Sequence, residues 1–419
     1  MKLVKTTFFS AIITVIRIAS GFIAGKVLAI FTGPAGVALI GAFSNFITIV
    51  LTFANGAINT GVIKYTAEYN DDEKKLKSLF STSFKISIYC SAAIGLVLLI
   101  LAPYFSTWIF TVGIYANPIR VLGFTIILYS FNSLLISILN GRGLIKTYTI
   151  VNTIGSVIGL LFTIILVYFY KIAGALYALV LAQSIVFFVT AGLVMKSSWF
   201  SWSFFNQAFN KQIAAKLSQY SLMAIVTALT IPVSQIILRN MLIDKLGMVN
   251  AGYWQGMMRI SDAYLMLITT SLSTYYLPKL SSLKTDIEIR TEIFNGYKLI
   301  IPAVLISCTV IYFLRFFLIQ FFYTPDFLAM EGLFFWQLLG DFFKLAAWML
   351  SYLMLAKAMT KVYVITEVLF SLSYLTLSYL LVSNFNLEGI TMAFALNYFL
   401  YFIIMIFLFR KLIFQTKSK

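Results

Sequence analysis

Long apolar stretches alternate with short polar ones along the whole chain. Runs near 6–31, 37–62, 79–102, 119–140, 147–170, 173–195, 217–242, 251–277, 297–321, 332–356, 361–382 and 389–409 each carry enough apolar residues for a helix across a bilayer, which needs about 20. The pattern predicts an all-α polytopic membrane protein with twelve transmembrane helices. The shortest joins, Thr32-Gly33-Pro34-Ala35-Gly36 and the region of Gly174, have the residues of tight turns between antiparallel helices. The first run is too long for a signal sequence, is interrupted by Arg17 and Lys26, and lacks a small-residue cleavage site, so it is expected to remain as the first membrane helix.

Basic residues then orient the runs. Of the 31 lysines and arginines, 21 fall in one alternating set of connecting segments and only Arg120, Lys171 and Lys245 in the other. Bases accumulate in cytoplasmic loops, so both termini are expected in the cytoplasm. Composition agrees with a membrane setting: 61% of residues are hydrophobic and 11% charged, against about 25% charged in soluble domains. The net charge of +17 is spread between apolar runs, without the concentrated basic face that nucleic-acid binding needs. There is no histidine, which removes imidazole catalysis and histidine metal sites, and no cofactor or metal site is predicted. Cys90 and Cys308 each lie inside an apolar run with no disulfide or CxxC pattern.

The chain matches itself at an offset of 215 residues. Gly41 meets Gly256, and Lys64 meets Lys279. Arg142, Lys146, Tyr148 and Ile150 meet Lys357, Lys361, Tyr363 and Ile365; Gly174, Ala178 and Leu181 meet Gly389, Ala393 and Leu396. The expected organisation is a six-helix lobe at 1–196, a cytoplasmic linker at 197–216, a second six-helix lobe at 217–409 and a basic cytoplasmic tail at 410–419. Six helices return the chain to its starting side, so the halves form a parallel repeat about an axis along the membrane normal, with a cleft expected between them. The longest polar loop of the second half is expected at 278–296.

Seven bases fall inside the runs: Arg17, Lys26, Lys85, Arg239, Arg259, Arg315 and Lys344, against Asp262, Asp341 and Glu367. A charge at mid-bilayer costs about 2.5–3.5 kcal/mol on insertion scales and so marks a cavity or a partner. Arg17, Arg259 and Lys344 are the deepest. Lys26, Lys85, Arg239 and Arg315 lie nearer run ends, where long basic side chains can snorkel to water. Arg259 and Asp262, and Asp341 and Lys344, are three apart and share a helix face, which leaves two readings open: local ion pairs, or groups facing a wet, positive interior. Such an interior would favour a phosphate or diphosphate ester, whose oxygens an arginine fork can bind in pairs. Asn45, Asn55, Asn59, Gln255 and Asn397 offer contacts to sugar hydroxyls or, more simply, helix–helix hydrogen bonds. Gly21 and Gly25 form a GxxxG, a weak signal for close helix contact. Pro232 and Pro302 interrupt two runs, and Pro232, which opens the second half, is a candidate hinge.

Several segments resemble the Wzx flippases of the multidrug/oligosaccharidyl-lipid/polysaccharide exporter superfamily. They are Gly33-Pro34-Ala35-Gly36, Trp254-Gln255-Gly256, Ile260-Ser261-Asp262-Ala263-Tyr264, Trp336-Gln337-Leu338-Leu339-Gly340-Asp341 and Ala356-Lys357-Ala358. The resemblance spans essentially the whole chain and is nearest the branches that move O-antigen and enterobacterial common antigen lipids. It implies two six-helix lobes, a cationic central cavity, and translocation of undecaprenyl-diphosphate-linked oligosaccharide to the outer leaflet of the bacterial inner membrane. It implies as partners a glycan polymerase and a chain-length regulator in that membrane. On this reading Arg17, Lys26, Arg259 and Lys344 contact substrate, while Asp262, Asp341 and Glu367 are coupling or gating carboxylates. Arg259 departs from the family pattern, which has a small residue there. Because the cell interior is negative, outward movement of an anion is electrically downhill, by about 2.3 kcal/mol per charge per 100 mV.

Two other classes compete. A cation-coupled multidrug exporter of the same superfamily would favour an acidic aromatic site, whereas the deep charge here is positive. A membrane enzyme acting on lipid-linked sugar would carry catalytic carboxylates in sizeable aqueous loops, and the external segments are short.

Overall fold

The computed structural model describes residues 2–197, 199–272, 276, 279–280, 283–357 and 359–414, and among them only helices, turns and loops occur. The helices are α1 (Lys2–Ala54), α2 (Asn59–Glu68), α3 (Glu73–Phe110), α4 (Ala116–Gly141), α5 (Ile145–Met195), α6 (Lys211–Leu246), α7 (Met248–Ser271), α8 (Asp286–Phe313), α9 (Arg315–Phe322), α10 (Leu333–Ala356), α11 (Thr360–Phe385), α12 (Glu388–Leu408) and α13 (Arg410–Phe414). Among the described residues, nine helices are long and apolar enough to cross a membrane. Large apolar side chains such as Phe124, Phe169, Leu299 and Phe313 are exposed on the surface. A multi-pass protein presents such a surface to lipid, where each backbone polar group must be satisfied inside its own helix.

The longest helices are interrupted where the sequence predicts turns. In α1 the break falls at Gly33, with φ 63° and ψ −172°. In α5 it falls at Lys171, with φ 50° and ψ −123°, three residues before the glycine that signals it. The glycine has a different task. A Cβ on Gly174 would lie 1.9 Å from the Leu166 carbonyl oxygen, so the chain can double back only if that side chain is absent. The same device recurs 215 residues later. Asn386 has φ 51° and ψ −135° after α11, and a Cβ on Gly389 would lie 2.3 Å from the Leu381 carbonyl oxygen. The entries to α5 and α11 match as well: Leu144 has φ −79° and ψ 58°, and Met359 has φ −78° and ψ 58°.

Other boundaries differ from the apolar runs for identifiable reasons. The polar stretch expected as a loop over 278–296 is helical from Asp286, started by a capping box in which Thr285 and Glu288 satisfy each other's backbone amides. Hydropathy sees only the apolar part of such a helix. The run 37–62 is broken at Gly56 and Ala57, both at positive φ, before α2 begins. The end of the run 251–277 lies partly outside the described residues, as do Lys417 and Lys419 of the basic tail.

The chain packs into two compact units, residues 1–32 with 39–236, and residues 33–38 with 237–419. The first unit takes in most of α6, as far as Ile236, and there Ile213 and Leu217 join Val62, Tyr65, Leu79 and Phe80 in an apolar core. Ser221 Oγ also donates to the Gly56 carbonyl at 3.1 Å, and Asn45 Nδ2 donates to Gln235 Oε1 at 2.9 Å. In the second unit the Pro34 carbonyl closes on Gly252, where a Cβ would sit 2.0 Å from its oxygen. Gly21, by contrast, has open space around it, so no helix contact depends on that member of the GxxxG.

These contacts predict a graded response to added methyl groups. Gly174→Ala and Gly389→Ala should each destabilise by at least the ~1–3 kcal/mol typical of overpacking. Gly21→Ala should be neutral or slightly stabilising, since alanine is the better helix former. Thermal unfolding of the three purified variants measures the order directly.

Candidate functional site

The densest polar cluster among the intramembrane residues lies in the second unit, on α7, α10, α11 and α12. Asp341, in the middle of α10, is completely buried, at 0% exposure. A carboxylate there must find its hydrogen bonds in the protein. Ser261 Oγ and Tyr264 Oη, one turn apart on α7, each donate to its Oδ2 at 2.6 Å. Gln337, one turn earlier on α10, donates Nε2 to Oδ1 at 3.3 Å, and its amide also reaches Ser261 Oγ at 3.4 Å. Three neutral donors therefore solvate this acid. Among the described residues no ion pair involves Asp341 or Asp262, so neither i,i+3 couple closes into the local salt bridge that spacing allows.

Lys344, one turn further along α10, is nearly buried at 8% exposure. Its ammonium sits among rings, 4.9 Å from the Trp348 centroid, 5.5 Å from Tyr398 and 5.6 Å from Phe394. Ring faces attract a cation at such distances, by about 2 kcal/mol or more when water is excluded. Gly340 makes the box possible: a Cβ there would meet the Phe394 ring at 2.3 Å, so only glycine lets α12 come this close to α10. Lys344 also interacts electrostatically with Asp262, Asp341 and Glu367. Asp262 is exposed and Glu367 half-buried. One lysine thus offsets three carboxylates from three helices while touching none of them.

Arg239 overturns the expectation of snorkelling. It is wholly buried, at 0% exposure, in a core that includes Leu238, Leu242 and Trp254. Its guanidinium donates to Gln255 Oε1 and lies 5.8 Å from the Trp254 ring centroid. The half-buried Arg259 acts on it electrostatically. Depth along the run placed Arg239 near water, but helix packing turns it inward. Arg315 instead pairs with Glu331 at 2.8 Å, and Lys85 donates to the Gln207 carbonyl at 2.7 Å in the segment that follows α5.

The expected cationic set is divided between the units. Arg17 and Lys26 belong to the first, Arg259 and Lys344 to the second, and Pro232 lies buried in α6. Arg17 is exposed and donates to Asn152 Oδ1 at 3.2 Å, while Lys26 is half-buried. Most of the amides considered for sugar contacts are helix–helix bonds. Asn45 meets Gln235, Asn59 Nδ2 donates to Ser133 Oγ at 2.9 Å, and Asn55 accepts from Ser130. Gln255 accepts from Arg239, and Asn397 is buried.

The roles of Ser261, Tyr264 and Gln337, and of the rings around Lys344, are not legible from charge alone. A signal was present: 260–264 and 336–341 are two of the segments on which the family resemblance rests, and the structure brings them together at Asp341.

Comparison with known proteins places this arrangement. The family of polysaccharide biosynthesis proteins matches residues 11–331. The lipid III flippases of Escherichia coli (strain K12) and Shigella flexneri are each 31% identical over 402 residues, covering 96% of this chain and 97% of theirs. An inward-facing multidrug resistance MATE family transporter of the MOP superfamily superposes with a TM-score of 0.79 at 16% identity, covering 96% of this chain and 98% of its own. A MOP superfamily transporter from Pyrococcus furiosus superposes with a TM-score of 0.68 at 15% identity, covering 96% and 95%. The chain accordingly belongs to the polysaccharide biosynthesis protein family, has the fold of the MATE transporters, and is a multi-pass membrane transporter and not an enzyme.

Proposed function

We propose that this protein is a flippase that moves undecaprenyl-diphosphate-linked oligosaccharide repeat units, of O-antigen or a related surface glycan, from the cytoplasmic to the periplasmic leaflet of a bacterial inner membrane. The observation that carries this reading is the 31% identity to curated lipid III flippases over 96% of the chain. Twelve spans in two six-helix lobes, with both termini cytoplasmic, belong to the same proposal. Separating the helices broken at Gly33 and Lys171 raises nine spans to eleven, and α7 supplies a twelfth. The paired returns at Lys171 and Asn386 support a parallel repeat, with lobes at 1–196 and 217–409, a linker at 197–216 and a basic tail at 410–419. The division between compact units falls one turn beyond Pro232, which supports that proline as a hinge.

In this mechanism the protein performs no covalent chemistry. It lowers the energy of an anionic head group in the membrane interior while the prenyl tail stays in lipid. Arg17, Lys26, Arg259 and Lys344 supply positive potential along a cationic cavity, and the membrane potential favours outward travel of the diphosphate. Asp341, Asp262 and Glu367 act as coupling or gating carboxylates. Lys344 is the group through which cargo and carboxylates communicate, because an arriving diphosphate would compete with three acids for one ammonium. A glycan polymerase and a chain-length regulator in the same membrane would take up the product.

The test is complementation of cells that lack their own flippase, with surface glycan and lipid-linked sugar measured together. Wild-type protein should restore the glycan. Arg17→Ala and Lys344→Ala should reach the membrane in normal amount yet leave lipid-linked sugar accumulated. Normal export by both variants, or extrusion of a cationic dye in place of glycan export, would overturn the reading.

Asp341 gives a second prediction, in which charge and packing separate. Asp341→Asn keeps an acceptor for Ser261 and Tyr264, so it should fold nearly as well as wild type while losing export. Asp341→Ala strands those donors and should also lower stability, by about 1–3 kcal/mol per unpaired group. Export assays beside thermal unfolding of the two purified variants distinguish these outcomes.

A further inference from the structure

Away from the Asp341–Lys344 cluster, a cavity of about 730 Å³ lies between the last turns of α6 and the later turns of α11. Its size is within the ~300–1,000 Å³ range of small-molecule sites. Most of its wall is apolar, with Ile237, Met241 and Leu375 among the side chains that line it. Its outer end carries two adjacent opposite charges, Asp244 and Lys245, just before Gly247, whose φ of 88° ends the helix. The lysine is fixed in place. Its Nζ lies 3.8 Å from the Tyr379 ring centroid and donates to Ser383 Oγ at 2.5 Å. Asp244 is exposed and forms no ion pair among the described residues.

We propose that this groove holds a phospholipid of the bilayer whose head group carries both a phosphate and a primary ammonium. The phosphate pairs with Lys245, the ammonium donates hydrogen bonds to Asp244, and one acyl chain lies along Ile237, Met241 and Leu375. Each part of the assignment follows from the lining. An apolar trough that ends in charge at a helix terminus suits a molecule with one end in hydrocarbon and one in water. A purely anionic head group would meet repulsion from Asp244. A quaternary ammonium has no N–H to donate to the carboxylate. A sugar would look for an aromatic face, and Lys245 already covers that of Tyr379.

The experiment uses purified full-length protein, stripped of lipid and titrated with phosphatidylethanolamine, phosphatidylcholine or phosphatidylglycerol, with bound lipid counted by native mass spectrometry. Phosphatidylethanolamine should be retained about tenfold better than the other two, the effect of one charge-assisted hydrogen bond. Asp244→Asn should erase its advantage over phosphatidylcholine. Lys245→Gln should weaken retention of all three. Thr376→Trp, which fills the cavity without changing charge, should remove the bound lipid. Thermal unfolding of each variant confirms that the fold survives, with Asp244→Asn at the wild-type temperature and Lys245→Gln slightly below it because it loses the contacts to Tyr379 and Ser383. Equal retention of the three lipids by wild-type protein would overturn the proposal. An ethanolamine preference that persists in Asp244→Asn, or a lipid count unchanged by Thr376→Trp, would do the same. The readout is lipid retention, so it stands or falls separately from glycan export.

Discussion

Inside hydrocarbon no group can borrow a hydrogen bond from water, and this constraint shapes both the backbone and the site. For the backbone it selects helices and leaves no room for irregular chain within the hydrocarbon, which favours tight returns such as those at Lys171 and Asn386. The returns at Lys171 and Asn386 meet it with a residue at positive φ and a glycine three positions on, against which the preceding helix lays its own carbonyl. For the site it means that Asp341 cannot be buried without a shell. The shell consists of Ser261 and Tyr264 from α7 and Gln337 from α10. Two helices are thereby fixed to each other at mid-length by the same interaction that keeps the acid in place.

The shell also explains why no salt bridge forms where spacing invites one. A buried ion pair gains Coulomb energy but loses the hydration of both partners, and the exchange is often near neutral. Here the two halves of the problem are solved separately. Neutral donors satisfy Asp341, and aromatic faces hold Lys344. The lysine keeps its charge free to act at longer range on Asp262, Asp341 and Glu367. An ammonium locked to one carboxylate would be far less responsive to an incoming anion.

Much of the fold is legible in the sequence because the bilayer enforces a simple code: length and apolarity mark a span, and glycine marks a return. The code fails where polar residues continue a helix, as at Asp286, since a capping box and not hydropathy decides that start. It also fails for Arg239. Position along an apolar run gives depth, but the face a side chain presents depends on which helices pack around it, and Trp254 and Gln255 draw that arginine inward. The site is half legible for the same reason. Asp341 and Lys344 stand out as rare charges, whereas Ser261, Tyr264, Trp348 and Tyr398 are ordinary residues of a membrane helix until distance gives them a task.

The matched returns at Lys171 and Asn386 share a backbone form, but the positions that carry charge do not share a chemistry. At the 215-residue offset, Ser261, Asp262 and Tyr264 correspond to Phe46, Ile47 and Ile49, and Asp341 and Lys344 to Ile126 and Tyr129. Phe46, Ile47 and Ile126 are buried apolar residues. At these positions the first half packs apolar side chains, with Tyr129 the polar exception, where the second half builds a network of acids, hydroxyls and a caged lysine. Glu367 corresponds to Asn152, the residue that receives the hydrogen bond of Arg17. The returns at Lys171 and Asn386 answer to the bilayer, which acts on both halves alike, so they keep one form. The polar positions answer to charge, and charge is expensive to bury twice. At these matched positions the acids and the caged lysine fall in the second half alone, so a change of charge there, by protonation or by an anion, would act on that half first.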